Sequence, residues 1–154
     1  MKKLLLFLLA AAALACSDNT QKEAENMLEQ AKSQFEQRQY DRALITIDSI
    51  RKVYPFVIDV RKQALKLHQA IELKRAQEEL ALADSALQVV IADYEQQRKE
   101  VEAAKRALRA TPEQLTRFTK TRVLRDSLQT EFDVLCAKIR YIHKKQGEKG
   151  DTIE

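Results

Sequence analysis

The chain predicts an all-α fold: an N-terminal helical pair packed on the start of a long helix, which forms an antiparallel coiled-coil hairpin with the C-terminal helix. Three observations lead there. Glycine and proline occur twice each among 154 residues, too few for the tight turns of a β-rich fold. The strong helix formers Ala, Leu, Glu, Gln, Lys and Arg are frequent throughout. Apolar residues recur at spacings of three and four over most of the length, the period of a helix face.

The first element is a short leader. Met1-Lys2-Lys3 is followed by an apolar run from Leu4 to Ala15, well short of the roughly 20 residues a membrane-spanning helix needs and of the right size for a signal-peptide core. The run ends in Ala13-Leu14-Ala15-Cys16. This segment resembles the bacterial lipoprotein signal, with Ala13 standing where leucine is commonest. The resemblance implies that residues 1–15 are removed, that the Cys16 thiol is lipidated, and that residues 16–20 form a lipidated linker. An ordinary secretory leader cut near Ala15 is the alternative.

Several acyl chains would hold such a protein firmly on a membrane, at about 0.8 kcal/mol per buried CH₂. Ser17 follows the cysteine in place of the aspartate that resembles an inner-membrane retention signal, which implies the outer membrane and its periplasmic face. Ser17-Asp18-Asn19 also resembles surface-export signals, so the outer face stays open. Removing Lys2 and Lys3 with the leader lowers the formal charge from +4 to +2. Together with a periplasmic address, that excludes nucleic acid as the expected partner.

Residues 21–72 form the next region. Thr20-Gln21-Lys22-Glu23 has the pattern of a capping box, predicting a helix from there to about Arg38 with Ala24, Met27, Leu28, Ala31 and Phe35 on one face. A second helix starts near Tyr40, presents Ala43, Leu44, Ile47, Ile50 and Tyr54, and ends at Pro55. Ala31, Tyr40, Ala43, Ile47 and Pro55 stand at the spacing of a tetratricopeptide repeat, which this stretch resembles; Gln30 and Gln34 depart from its pattern. Only one copy is present, and such repeats need about three to form a superhelix and its peptide groove. The resemblance therefore implies the fold of one unit without its peptide binding, and a generic helical hairpin accounts for the same residues.

No glycine or proline occurs from Val57 to Ala110. Val57, Val60, Ala64, Leu67 and Ile71 make one stripe, a lid over the N-terminal pair. The stripe then changes phase. Leu73, Ala76, Leu80, Ala83, Leu87, Val90, Tyr94, Gln97, Val101, Ala104 and Leu108 alternate by three and four, a heptad seam. Thr111-Pro112-Glu113-Gln114 is a second capping box with proline at the first helical position. The helix it opens carries Gln114, Phe118, Thr121, Arg125, Leu128, Phe132, Leu135, Ile139 and Ile142, and stops near Gly147.

If the chain folds straight back at Thr111, Tyr94 meets Leu128, Gln97 meets Arg125, Val101 meets Thr121 and Ala104 meets Phe118. Each pair joins unlike seam positions, as an antiparallel hairpin over residues 73–146 requires. A rod kinked at Pro112, with both seams used between subunits of a homo-oligomer, is the alternative. Residues 147–154 read as a disordered tail.

Candidate functional residues are few. Gln97, Thr121 and Arg125 form a polar layer in the seam, a device that fixes register and strand number or serves as a hinge or docking point. Lys138, Arg140, His143, Lys144 and Lys145 form a basic cluster able to meet an anionic partner; dipole complementation explains Lys144 and Lys145 equally well. Cys136 reads either as a small buried hydrophobe or as a thiol joining subunits. His68 and His143 stand apart, no catalytic motif or metal-ligand spacing occurs, and no cofactor is expected.

These features describe a non-catalytic cell-envelope lipoprotein, held on the membrane by its lipid and binding an unidentified protein partner as a scaffold. The lipid and the repeat-like pair weakly resemble the tetratricopeptide lipoproteins of outer-membrane protein assembly. A basic hairpin also resembles the Skp-like holdase chaperones, whose β-rich body has no counterpart here. A spacer between membrane and cell wall is the third possibility.

Overall fold

The computed structural model describes the backbone of residues 2–147 and the side chains of residues 19–147. The Cys16 side chain, and the tail beyond Gly147, fall outside those bounds. Four helices follow in order: α1 (Lys2–Glu36), α2 (Tyr40–Val53), α3 (Ile58–Arg106) and α4 (Pro112–Gly147). There is no strand among the described residues. None of their helices is long and apolar enough to cross a membrane. Two compact units divide between Glu72 and Leu73.

In the first unit, α1, α2 and the beginning of α3 enclose one core. Ala24, Leu28 and Ala31 from α1, Ala43, Ile47 and Ile50 from α2, and Val60, Ala64 and Ile71 from α3 are buried together. Met27, Phe35, Tyr40, Leu44, Tyr54, Val57 and Leu67 pack around them. These are the faces that the 3.6-residue period marks out. The alanines let the helix backbones approach, and each fully buried isoleucine contributes about 1.5–3 kcal/mol. Gln34, polar at a helix–helix contact, is bonded to the Thr46 hydroxyl at 2.8 Å, which also lies 3.0 Å from the carbonyl of Arg42.

The start of α1 differs from the expected one. The helix runs through Thr20 without a break, so Thr20 does not cap it. Glu23 instead accepts from Asn19 Nδ2 at 2.8 Å and from the Tyr54 hydroxyl at 3.4 Å. The segment before Thr20 is rich in alanine and leucine and contains neither glycine nor proline, so nothing in it stops helix propagation. A capping pattern marks a helix start only where the preceding residues disfavour helix.

The turn after α1 is a Schellman motif. Gln39 N–H donates to the Gln34 carbonyl at 2.8 Å and Arg38 N–H to that of Phe35 at 2.9 Å, the six-to-one and five-to-two bonds that satisfy the last carbonyls of a helix. Arg38 takes the left-handed backbone conformation this requires, with φ of 59°.

In the second unit, α4 folds back antiparallel along the part of α3 that follows Leu73. Ala76, Ala83, Leu87 and Val101 on α3, with Leu135 and Ile142 on α4, are buried. Most other seam residues, including Leu80, Val90, Leu128, Phe132 and Ile139, are half-buried. The start of α4 is the expected capping box: Gln114 N–H donates to Thr111 Oγ1 at 3.3 Å, and Thr111 N–H to Gln114 Oε1 at 3.0 Å.

The register differs from the one expected by about a heptad. α3 ends at Arg106, and Leu108, expected as the last seam residue, lies outside the helix with φ of 54°. Arg109 N–H donates to the Ala104 carbonyl at 2.8 Å and Leu108 N–H to that of Lys105 at 3.0 Å, a second Schellman motif built like the first. The chain therefore reverses at Leu108, ahead of Thr111, and every pairing slides accordingly. A whole-heptad slide keeps apolar residues facing apolar residues, which is why the seam closes equally well.

Candidate functional site

The polar layer of the hairpin is assembled differently from its sequence pattern. Gln97, only 4% exposed, donates from Nε2 to Thr121 Oγ1 on the opposite helix at 3.0 Å and to Asp93 Oδ2 one turn back at 2.8 Å. Its Oε1 is buried with no hydrogen-bond partner. Asp93 in turn faces Arg117 across the hairpin, 3.8 Å away. Gln97 and Thr121 are thus brought together as a pair.

Arg125 is not their neighbour in the layer. Its guanidinium lies over the ring of Tyr94, 4.0 Å from the centroid, and bonds Asp126 through Nε at 3.0 Å. The hydrogen bond that Arg125 donates to Asp126 holds the guanidinium charge more firmly than usual, against partial burial and with help from Tyr94. Phe118 stacks with Tyr94 as well, centroid to centroid 5.2 Å and 18° from parallel. Tyr94 therefore sits between Phe118 and Arg125, residues one heptad apart on α4, where sequence spacing placed Leu128. Heptad spacing alone does not reveal this stack, because equivalent apolar heptads do not select which one meets which.

The turn itself is the most exposed apolar feature of this unit. Leu108 is 95% exposed, with Lys105, Arg106 and Arg109 around it in the chain. Beyond it, the side of α4 carries an open groove of about 440 Å³ lined by Pro112, Glu113, Thr116, Arg117, Lys120 and Thr121. At the α4 start the Glu113 carboxyl is held below its ordinary value, first by its own backbone N–H and then by the Thr111 hydroxyl.

Lys138, Arg140, His143, Lys144 and Lys145 lie along the last turns of α4, where a step of about 100° per residue sets Arg140, His143 and Lys144 within one arc and Lys138 and Lys145 together on another. Lys144 and Lys145 occupy its last turn, complementing the helix dipole, and Lys145 lies over the Tyr141 ring at 5.8 Å. Cys136 is a half-buried free thiol. No group of histidine, cysteine and carboxylate side chains among the described residues is arranged to hold a metal ion.

Compared with known protein families, characterised proteins and solved structures, the chain matches none of them.

Proposed function

We propose that this chain is a non-catalytic bacterial cell-envelope lipoprotein, anchored through Cys16 at the periplasmic face of the outer membrane, whose hairpin serves as a scaffold for another protein. The anchor reading is supported by the leader, with its basic start, short apolar run and Ala13-Leu14-Ala15-Cys16 boundary. Residues 21–72 are read as one tetratricopeptide-like unit, supported by the spacing of Ala31, Tyr40, Ala43, Ile47 and Pro55.

The observation that carries the interaction reading is Leu108. A leucine almost wholly in water, in a backbone conformation that costs an L-residue about 1–2 kcal/mol, contributes little to the hairpin it caps. A residue held in a sparsely populated backbone conformation supports a hypothesis of function at that position, and here it presents an apolar side chain to solvent. The basic residues beside it favour a partner with an acidic surface around an apolar pocket.

Two measurements test the reading. Cys16→Ser should move the protein from membrane to soluble fractions; unchanged membrane attachment would overturn the anchor. A photo-crosslinking residue at position 108, introduced in cells, should capture one predominant envelope protein. Capture of many unfolded outer-membrane proteins would replace the scaffold with a holdase, and no capture would overturn both.

A further inference from the structure

The outside of the hairpin is unevenly apolar. Of the exposed large hydrophobic residues after Leu73, Leu82, Val89, Leu124, Val134 and Tyr141 lie on one side, while Val123 and Leu108 do not. The side is fixed by geometry. Leu82, Val89, Val134 and Tyr141 each follow a seam residue by two positions, about 200° further round their helix. Leu124 immediately precedes the seam residue Arg125. Asp93 and Arg117 likewise precede Tyr94 and Phe118, and they face each other at 3.8 Å. Equal offsets on the two antiparallel helices therefore share one side. The opposite side carries Asp84, Arg98, Arg122 and Gln129 and no exposed large apolar residue.

Charge on the apolar side is divided between the helices. The α3 edge carries the acids Glu79, Asp93 and Glu100 with one base, Arg75, and the α4 edge carries the bases Arg117, Lys120, Lys138 and Lys145 with two acids, Glu113 and Glu131, so the two edges differ in net sign. A second copy facing this side about a twofold axis along the hairpin sets each α3 on the partner's α4. Acidic edge then meets basic edge, and Leu82 lies level with the partner's Val134. A twofold axis across the hairpin would instead set α3 on α3, acid against acid. The half-buried seam residues give the same indication: two helices alone leave Leu80, Leu128 and Phe132 partly in water, and four helices cover such positions.

We infer that two copies of this chain pair in parallel through this side of the hairpin, forming a four-helix bundle in which every neighbouring pair of helices is antiparallel. The interface is isologous, as closed dimers require. It uses neither Leu108 nor Cys16, so it stands apart from the envelope reading, and its failure would leave that reading untouched.

The test uses two differently tagged full-length copies produced together, both with Cys136→Ser. One carries Leu82→Cys and the other Val134→Cys. Mild oxidation should give a reductant-sensitive product bearing both tags, well above the background of copies that retain Cys16 alone. The mirror-image pair on the other side, Ala81→Cys with Asp133→Cys, should give background only. Adding Val89→Asp and Leu124→Asp to both copies should lower the product by about tenfold or more while helical content by circular dichroism is unchanged. Absence of the 82–134 product, an equal product from 81–133, or a dominant product between two Leu82→Cys copies would each overturn the proposed pairing.

Discussion

Gln97 reaches across the hairpin to Thr121 while its own carbonyl oxygen is buried without a partner. A buried acceptor left unpaired costs about 1–3 kcal/mol, which offsets most of what the bonds to Thr121 and Asp93 return. Gln97→Leu should therefore change the stability of the chain by no more than about 1 kcal/mol, measured by urea unfolding. The same substitution should weaken the choice of register, since one polar seam residue is what distinguishes otherwise equivalent heptads. Spin labels at Ala81→Cys and Asp133→Cys within one chain should gain a second distance component, reflecting a slide of about 10 Å. A single unshifted component would show that the turn alone sets the register.

That turn is built twice from the same motif, and both copies place an ordinary residue where glycine is preferred. Arg38 and Leu108 each have a positive φ and each close a Schellman motif. The left-handed conformation costs an L-residue about 1–2 kcal/mol, and glycine recovers most of it at some cost in unfolded-chain entropy. Arg38→Gly and Leu108→Gly should each stabilise by roughly 0.5–1 kcal/mol in thermal or urea unfolding. Leu108→Gly should at the same time reduce capture of the partner from nearby position 111. Higher stability with unchanged capture would mean that the leucine side chain takes no part in recognition.

The two turns also explain how far the sequence could be read. The helix faces of the first unit follow directly from apolar spacing, so Ala24 through Ile71 fall in the core as expected. Thr111 and Gln114 cap α4 because Pro112 enforces a boundary there. Thr20 lacks such a boundary, and the helix passes through it. Register is a different kind of information. An apolar heptad seam matches itself after a slide of one heptad, so the register follows from the turn and from the polar seam positions together, and neither glycine nor proline marks Leu108. The stack of Tyr94 with Phe118 and Arg125, and the contact of Asp93 with Arg117, depend on that register and were illegible for the same reason.

Arg125 occupies a seam position normally apolar, and the Tyr94 ring is what makes it tolerable. The flat guanidinium covers the ring face 4.0 Å away and keeps its charge bonded to Asp126. A cation over an aromatic ring contributes about 0.5–2 kcal/mol according to its exposure. Arg125→Lys retains the charge but loses the flat contact, so it should destabilise by roughly 1 kcal/mol in urea unfolding. In the Tyr94→Leu background the same substitution should cost much less, which a double-mutant cycle reads directly. An unchanged cost would assign the effect to Asp126 instead.

Acid should loosen the hairpin first where α4 begins. The Glu113 carboxyl is held below its ordinary value of 4.5 by its own backbone N–H and by the Thr111 hydroxyl. A carboxyl whose value is lowered in the folded state binds fewer protons there than in the unfolded chain. Its contribution is therefore present above 4.5 and disappears as the pH falls through its folded value. Glu113→Gln should be less stable than the parent chain at neutral pH, and the difference should close steadily below pH 4.5. Asp48, lowered chiefly by its hydrogen bond with Lys52, should behave in the same direction in the first unit. Carboxyl resonances followed by NMR across the acid range would separate the two, since each should titrate below an unstructured reference. If Glu113 titrates at its ordinary value, the α4 cap is held by Thr111 and Gln114 alone, and acid should leave that helix end unchanged.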